Sequence, residues 1–375
     1  MDELSPAITK GGSDAYVVYA SSRDPDMRYL AQFTSSDPYV FIKKPGRKAT
    51  IIVSQMETVR ASRESDAAVI SRTQAGLPEI LKTEKDLTRA TAKMIAGQAG
   101  KRILVPPTFP LALAEALGKH CKVTADKGTV ASMRAKKKPG ELKILKNLQI
   151  ITEGAMEIAV GMIRKSKVKK GDLFLNNAPL TSEKIRLAMH TYLLERECSA
   201  TDTIVSCGED AAIPHMAGTG PLHANEPIVI DIFPFQEKTG YYADMTRTVS
   251  KGAPSKDIDD MYIAVRDAKQ QAIRKMRPGV SGADVYQSVV DFFHERGYES
   301  NTKGFVHSLG HGIGLQVHEA PSVGPGGGLL EPGNVVTVEP GLYYPGIGGV
   351  RLEDMGVVTK KGFSIFTKFP EELIL

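Results

Sequence analysis

Thiol chemistry is nearly absent from this chain, whose 375 residues include only three cysteines, Cys121, Cys198 and Cys207. They are widely spaced and odd in number, so they form no metal or redox motif, and their usage suits a reducing compartment. No apolar run approaches the roughly 18 residues needed to span a bilayer. The first residues, Met1-Asp-Glu-Leu-Ser-Pro6, lack a basic region leading into an apolar one. A cytoplasmic protein with no membrane partner is therefore expected. An excess of one charge is missing too: a net +5 and a pI of 8.8 do not imply nucleic acid. The densest basic stretch, Arg134-Ala-Lys-Lys-Lys138 before Pro139-Gly140, is expected to be a solvated linker or helix start.

What is present is an ordinary globular composition, 42% hydrophobic and 24% charged, in a chain long enough for two domains. Residues 15–19, 39–42, 49–53 and 102–105 carry strand-like apolar runs, and 84–99 and 110–117 carry helical spacing. This alternation predicts a small α/β domain over 1–130. It gathers no catalytic side chains, so a scaffold or lid role is expected. Beyond Pro139-Gly140, Leu142, Leu145, Leu148, Ile151 and Ile158 follow helical spacing, and further helices are expected over 182–196, 258–276 and 282–296. Strand-like segments interleave with them, and no parallel phosphate-loop signal occurs. The fold class is α/β (α+β), with a curved, mainly antiparallel sheet backed by helices in a second domain over 131–375. Short identities show no internal repeat.

Several of those strand-like segments end in acids. Asp231 closes Pro227-Ile-Val-Ile-Asp231, Asp244 lies in Ala243-Asp-Met-Thr-Arg-Thr248, Glu339 closes Val335-Val-Thr-Val-Glu339, and Glu353 closes Gly349-Val-Arg-Leu-Glu353. A carboxylate on such an apolar run is costly to bury unless it is paired or binds a metal. A turn at Lys238-Thr-Gly240 separates the first two acids, and Pro345-Gly-Ile-Gly-Gly349 separates the second two. Each pair can thus share one side of a hairpin. Either pair alone is compatible with surface charge; two in one domain point to a site.

His307, His311 and His318 cluster in sequence, but Gly310, Gly312 and Gly314 oppose a helix there. A glycine-rich bend aiming histidines inward is expected. A nucleotide loop is excluded, since no strand-loop-helix frame or phosphate-binding lysine surrounds the glycines. A zinc-protease helix at His318-Glu319 is excluded by Pro321. His215, in the loop ending Asp210-Ala-Ala-Ile-Pro-His215, is positioned to reach a site. Four carboxylates and one imidazole without thiolate favour Mn²⁺, Co²⁺, Fe²⁺ or Zn²⁺. Four negative charges balance two divalent cations, and an added hydroxide leaves the cluster at −1.

Taken together these segments resemble the "pita-bread" metallopeptidases, the group of Xaa-Pro dipeptidase (prolidase), aminopeptidase P and methionine aminopeptidase. The motifs Pro214-His215, Asp231, Ala243-Asp-Met-Thr-Arg-Thr248, His307-Ser-Leu-Gly-His311, Val317-His-Glu319, Val338-Glu-Pro-Gly341 and Val350-Arg-Leu-Glu-Asp354 fall in the family's order. The segment with Met27-Arg-Tyr-Leu30 and Ile51-Ile-Val-Ser54 looks like the creatinase-type domain of the Xaa-Pro enzymes, which methionine aminopeptidases usually lack. The step of 13 from Asp231 to Asp244 is longer than in many prolidases and implies a lengthened hairpin.

The resemblance implies that Asp231 binds one metal, His311 and Glu339 the other, and that Asp244 and Glu353 bridge both. It implies Mn²⁺ or Co²⁺ first, with Zn²⁺ or Fe²⁺ as alternatives. His215, His307 and His318 would line the substrate cleft, and Tyr241 would touch substrate. Arg351 would hold a substrate carboxylate or, alternatively, support the bridging acids. Hydrolysis of a Xaa-Pro bond by a bridging hydroxide follows, with Glu339 shuttling the proton. A dipeptidase is the first expectation and an aminopeptidase P acting on longer peptides the second. A metal-free creatinase-like hydrolase or a non-enzymatic binding protein follows behind. A homodimer is a family expectation.

Overall fold

Near-continuous apolar runs such as Ala15-Tyr-Val-Val-Tyr-Ala20 need cover on both faces of a sheet, and they receive it. The computed structural model describes residues 3–375 and divides into units of residues 1–134 and 135–375. In the first unit β1 (Ala15–Ala20), β2 (Tyr39–Lys43), β3 (Thr50–Val53), β4 (Ala68–Ser71), β5 (Arg102–Val105) and β6 (Lys122–Ala125) form one mixed sheet ordered β4-β3-β2-β1-β5-β6. Val17, Ile42, Ile52 and Ile103 point to helices Leu87–Ala99 and Leu111–Gly118, whereas Tyr16, Phe41, Ile51 and Leu104 point to helices Leu4–Lys10 and Pro25–Ala31. The helix expected from 84 begins at Leu87, because the Asp86 carboxylate accepts from Arg89 N at 2.8 Å and caps it.

The basic stretch expected to be solvated is partly buried. Arg134, 4% exposed, pairs with Asp26 at 2.8 Å within the first unit. Lys137, 6% exposed, pairs with Glu319 within the second. Its charge pattern was a surface pattern, but two of its cations meet carboxylates far away in sequence.

The second unit begins with helix Pro139–Lys165, which has proline in its first turn and Glu141 accepting from Lys138 N at 2.8 Å. A small sheet of β7 (Lys167–Lys169), β8 (Asp172–Leu175) and β9 (Ala178–Pro179) precedes helix Ser182–Leu194. Then β10 (Cys198–Ser199), β11 (Ile204–Cys207), β12 (Ile228–Ile232), β13 (Phe235–Gln236) and β14 (Met245–Val249) follow. β11-β12-β14 form one sheet, and β10 pairs with β13. After helices Lys256–Lys275 and Gly282–Glu295 come β15 (Gly310–Gly312), β16 (Glu319–Val323), β17 (Val335–Val338), β18 (Gly341–Tyr344), β19 (Gly348–Arg351), β20 (Asp354–Thr359) and β21 (Gly362–Ile365). They form the sheet β16-β15-β17-β20-β21 and the hairpin β18-β19. The ladders of this unit are antiparallel. One core joins the sheets to helices Pro139–Lys165 and Ser182–Leu194, and another joins them to helices Lys256–Lys275 and Gly282–Glu295. Among the described residues no helix is long and apolar enough to cross a membrane.

Candidate active site

Alternation along the strands decides which side chains meet. Ile228, Ile230 and Ile232 of β12 enter the first core, so Asp231 faces the other way. Asp231 lies opposite Thr246 of β14, and Asp244, two residues earlier, shares that face. The connection between them holds Phe235 against Tyr242, with Gln236 N donating to Tyr241 O at 2.9 Å. Val336 and Val338 of β17 enter the second core, leaving Thr337 and Glu339 on the opposite face. Val338 pairs with Asp354, so Glu339 and Glu353 are brought level where the ladder opens into β18-β19.

The segment expected as a glycine bend around His311 is the short strand β15, paired on both sides. Its glycines answer to space: a Cβ on Gly310 would lie 2.1 Å from Thr337 O, and one on Gly312 2.2 Å from Ala320 O. The missing side chains let the backbone carry His311 up against β17, where His311 N donates to Thr337 Oγ1 at 3.1 Å.

Asp231, Asp244, His311, Glu339 and Glu353 consequently line one cleft of about 660 Å³, together with His215, His307, His318 and Arg351. Ile204, Pro214, Phe233 and Val317 give it apolar wall. His311 Nε2 lies 3.2 Å from Glu339 Oε1 and 3.8 Å from Asp244 Oδ2. Its Nδ1 is 3.1 Å from Gly312 O; a proton donated there leaves Nε2 as the free ligand atom. Thr246 Oγ1 donates to Glu353 Oε2 at 2.9 Å, and Thr337 Oγ1 to Glu339 Oε1 at 3.3 Å.

These charges strain one another. Burial, then the carboxylates of Glu353, Asp231 and Glu339, push Asp244 well above the usual carboxylate range. Burial, then Glu339 and Asp231, do the same to Glu353. Burial also pushes Glu339 up, but the hydrogen bond and charge of His311, with His307 and Arg351, outweigh it and hold Glu339 at about 2. Burial lowers His311, yet Glu339 more than compensates and raises it. His307 is lowered by burial; His318 is lowered by burial and then by His311.

The residues fit divalent cations. Ligand atoms of Asp244, His311 and Glu353 lie within 4.8 Å of one another. Asp231 Oδ1, Asp244 Oδ1 and Glu353 Oε1 are buried with no hydrogen-bond partner among the described residues. Such oxygens are costly unless a cation meets them, and carboxylate oxygens with one imidazole are donors that manganese, cobalt, iron and zinc accept.

Three proposed contacts land differently. Tyr241 is 8% exposed in the first core, and its hydroxyl donates to Glu141 Oε1 at 2.6 Å, away from the residues lining the cleft. Arg351 lines the cleft but is committed to protein. Its Nη2 donates to Asp231 Oδ2 at 2.7 Å, Nη1 to Tyr343 Oη at 2.8 Å and Pro214 O at 3.1 Å, and Nε to Thr246 Oγ1 at 3.2 Å. Four of a guanidinium's five N–H donors are thereby used, which favours support of the acids over capture of a substrate carboxylate. His307 is engaged at both nitrogens, Nδ1 with Ser308 O at 2.7 Å and Nε2 with Tyr343 Oη at 3.0 Å. His215 and His318 are exposed.

Sequence reasoning gave no role to Thr246, Thr337 or Tyr343. Thr246 and Thr337 each sit two residues from an acid on a strand, a spacing that puts them on the acid's face. Tyr343 had no such signal, because its contacts with Arg351 and His307 arise from the β18-β19 hairpin.

Four carboxylates converging on an imidazole in an open cleft define a metal-dependent hydrolase. Residues 143–360 match the model of metallopeptidase family M24, and residues 1–136 match the creatinase/prolidase N-terminal domain. The chain belongs to metallopeptidase family M24. A Xaa-Pro dipeptidase of Lactobacillus helveticus is 35% identical over 246 residues, 65% of this chain and 63% of that protein. This match therefore spans less than two thirds of that relative's length. A Xaa-Pro dipeptidase of Pyrococcus horikoshii is 28% identical over 373 residues, 98% of this chain and 96% of that protein. The solved structure of a Xaa-Pro dipeptidase from Bacillus anthracis superposes with a TM-score of 0.84 at 26% identity, covering 100% of this chain and 98% of that one.

Proposed function

We propose that this protein is a Xaa-Pro dipeptidase that hydrolyses the bond before proline with the help of two divalent cations, Mn²⁺ or Co²⁺ in first place. The convergence of Asp244, His311 and Glu353 ligand atoms within 4.8 Å, beside buried unpartnered carboxylate oxygens, carries the metal reading. Relatives that bear the name Xaa-Pro dipeptidase support the substrate. Asp231 would hold one cation, His311 and Glu339 the other, and Asp244 and Glu353 would serve both. When bound, the cations supply Lewis acidity and bring the pKa of water toward neutrality.

The protein's own groups do the rest. Glu339, ionised at neutral pH, accepts the proton of the attacking water and returns it to the leaving nitrogen. Arg351 orients Asp231, and Thr246 and Thr337 orient Glu353 and Glu339. His307, held by Ser308 and Tyr343, shapes the wall. His215 and His318 are the exposed imidazoles that donate to developing oxyanion charge and to the substrate carboxylate. Ile204, Pro214, Phe233 and Val317 offer an apolar surface to the proline ring, whose imide nitrogen has no hydrogen to satisfy. Free cysteines support a cytoplasmic setting; a homodimer rests on family resemblance.

The test is metal analysis of the purified protein together with hydrolysis of a Xaa-Pro dipeptide and a Xaa-Pro-Pro tripeptide under added Mn²⁺ or Co²⁺. Preference for the dipeptide is expected. Preference for the tripeptide would replace this reading by an aminopeptidase P, and absence of bound metal would remove both.

A further inference from the structure

Behind the carboxylates lies a second charged cluster that the reaction does not use. Arg247 pairs across from Ile230, whose side chain enters the first core, so its guanidinium lies on the side of the sheet opposite Asp231. It is 2% exposed, and every nitrogen is occupied. Nη1 donates to Thr246 O at 2.9 Å and Glu353 O at 2.7 Å. Nη2 donates to Asp354 Oδ1 at 2.9 Å and Phe369 O at 2.8 Å, and Nε to Pro370 O at 3.0 Å. Lys269, 1% exposed, holds Asp354 Oδ2 at 2.5 Å and Glu371 Oε1 at 2.7 Å.

The two carbonyls on Nη1 belong to different sheets. Thr246 is on β14 of the sheet that carries Asp231 and Asp244, while Glu353 directly precedes β20 of the sheet that carries Glu339. Between them the backbone supplies Glu353 N to Thr246 O at 3.0 Å. The guanidinium is a planar fork of fixed geometry, so binding both carbonyls sets their separation. An apolar side chain of similar volume would stabilise such a site about as well. What it could not do is set the spacing of two sheets.

We propose that Arg247, braced by Asp354 and Lys269, is a positioning residue that fixes the distance between Asp244 and Glu353 and so preorganises the cation site. This rests on the metal reading given above. Supporting partners of metal ligands commonly change affinity about 10- to 100-fold when altered. Lysine keeps the charge but cannot span both carbonyls and the Phe369 and Pro370 carbonyls at once.

The experiment is equilibrium dialysis of chelator-stripped full-length protein against Mn²⁺, with no substrate present. Arg247→Lys is expected to weaken Mn²⁺ binding about tenfold or more. Asp354→Asn, which leaves the guanidinium but removes its charge partner, is expected to weaken it in the same direction, and serves if Arg247→Lys does not fold. Val289→Ala, a core truncation in helix Gly282–Glu295, serves as a variant whose only effect is lost stability. It is expected to lower the unfolding midpoint while changing Mn²⁺ affinity less than about twofold, within ordinary scatter for distant sites. Unchanged affinity in Arg247→Lys, or an equal loss in Val289→Ala, would overturn the positioning role. A wild-type protein that binds no Mn²⁺ would overturn the metal reading itself, and this proposal with it.

Discussion

Replacing Lys137 by methionine removes the cation from an ion pair whose side chains are 1% and 6% exposed, Lys137 and Glu319. At that burial solvent screening is weak, so removing one member of the pair is costly. Breaking one side of such a pair costs about 3–5 kcal/mol. With a urea slope near 3 kcal/mol/M for a chain of this size, the midpoint falls by about 1–2 M. The pair also anchors one end of the loop between β15 and β16, since Glu319 opens β16 directly after His318. Lys137 N in turn donates to Gly333 O at 2.9 Å, so the lysine is fixed at its backbone. The chain has no tryptophan, so far-ultraviolet circular dichroism is the suitable probe. Glu319→Gln should cost a similar amount by removing the pair's carboxylate, and Lys137→Met with Glu319→Gln should cost less than the sum. The coupling is expected to exceed about 2 kcal/mol, within the range for contacting residues. Single costs below about 1 kcal/mol that simply add would show a screened surface pair and refute the burial argument.

Metal binding should release protons. Asp244, Glu353 and His311 are raised above their ordinary values, so each must lose protons to ligate, and Mn²⁺ affinity should climb as pH rises through those raised values. Calorimetry in two buffers of different ionisation enthalpy reads the release directly, and none at all would contradict the assigned directions. Gly310→Ala places a Cβ 2.1 Å from Thr337 O and should cost about 1–3 kcal/mol by overpacking, with weaker Mn²⁺ binding because β15 is pushed from β17. Thermal unfolding and dialysis together check it. Arg351→Met frees Asp231 Oδ2 from its partner and should weaken one of two Mn²⁺ sites about 10- to 100-fold. A metal titration that still shows two equal tight sites would rule this out.

The four acids that meet in the cleft were legible because Asp231, Glu339 and Glu353 end apolar runs and Asp244 flanks a strand, where a carboxylate has no cheap reason to be. Period-two alternation then places Asp231, Asp244 and Thr246 on one face and Thr337 and Glu339 on another. The basic stretch at 134–138 misled because charge density marks exposure only when no distant acid comes to meet it. Arg134 meets Asp26 and Lys137 meets Glu319, and neither partner is near in sequence. Tyr241 lay close to Asp244 along the chain, yet its hydroxyl turned to Glu141, 100 positions away.

Strand identity, the acids upon those strands and the histidine cluster are local facts, readable from residue type and spacing because propensity and alternation act over a few positions. The division of labour among polar side chains was not local. Whether Arg351 reaches a substrate or Asp231, whether His307 has a free nitrogen, and whether Arg247 spans two sheets depend on which carbonyls and hydroxyls arrive from elsewhere. A hydrogen-bond donor has a limited number of protons, and only the folded chain assigns them.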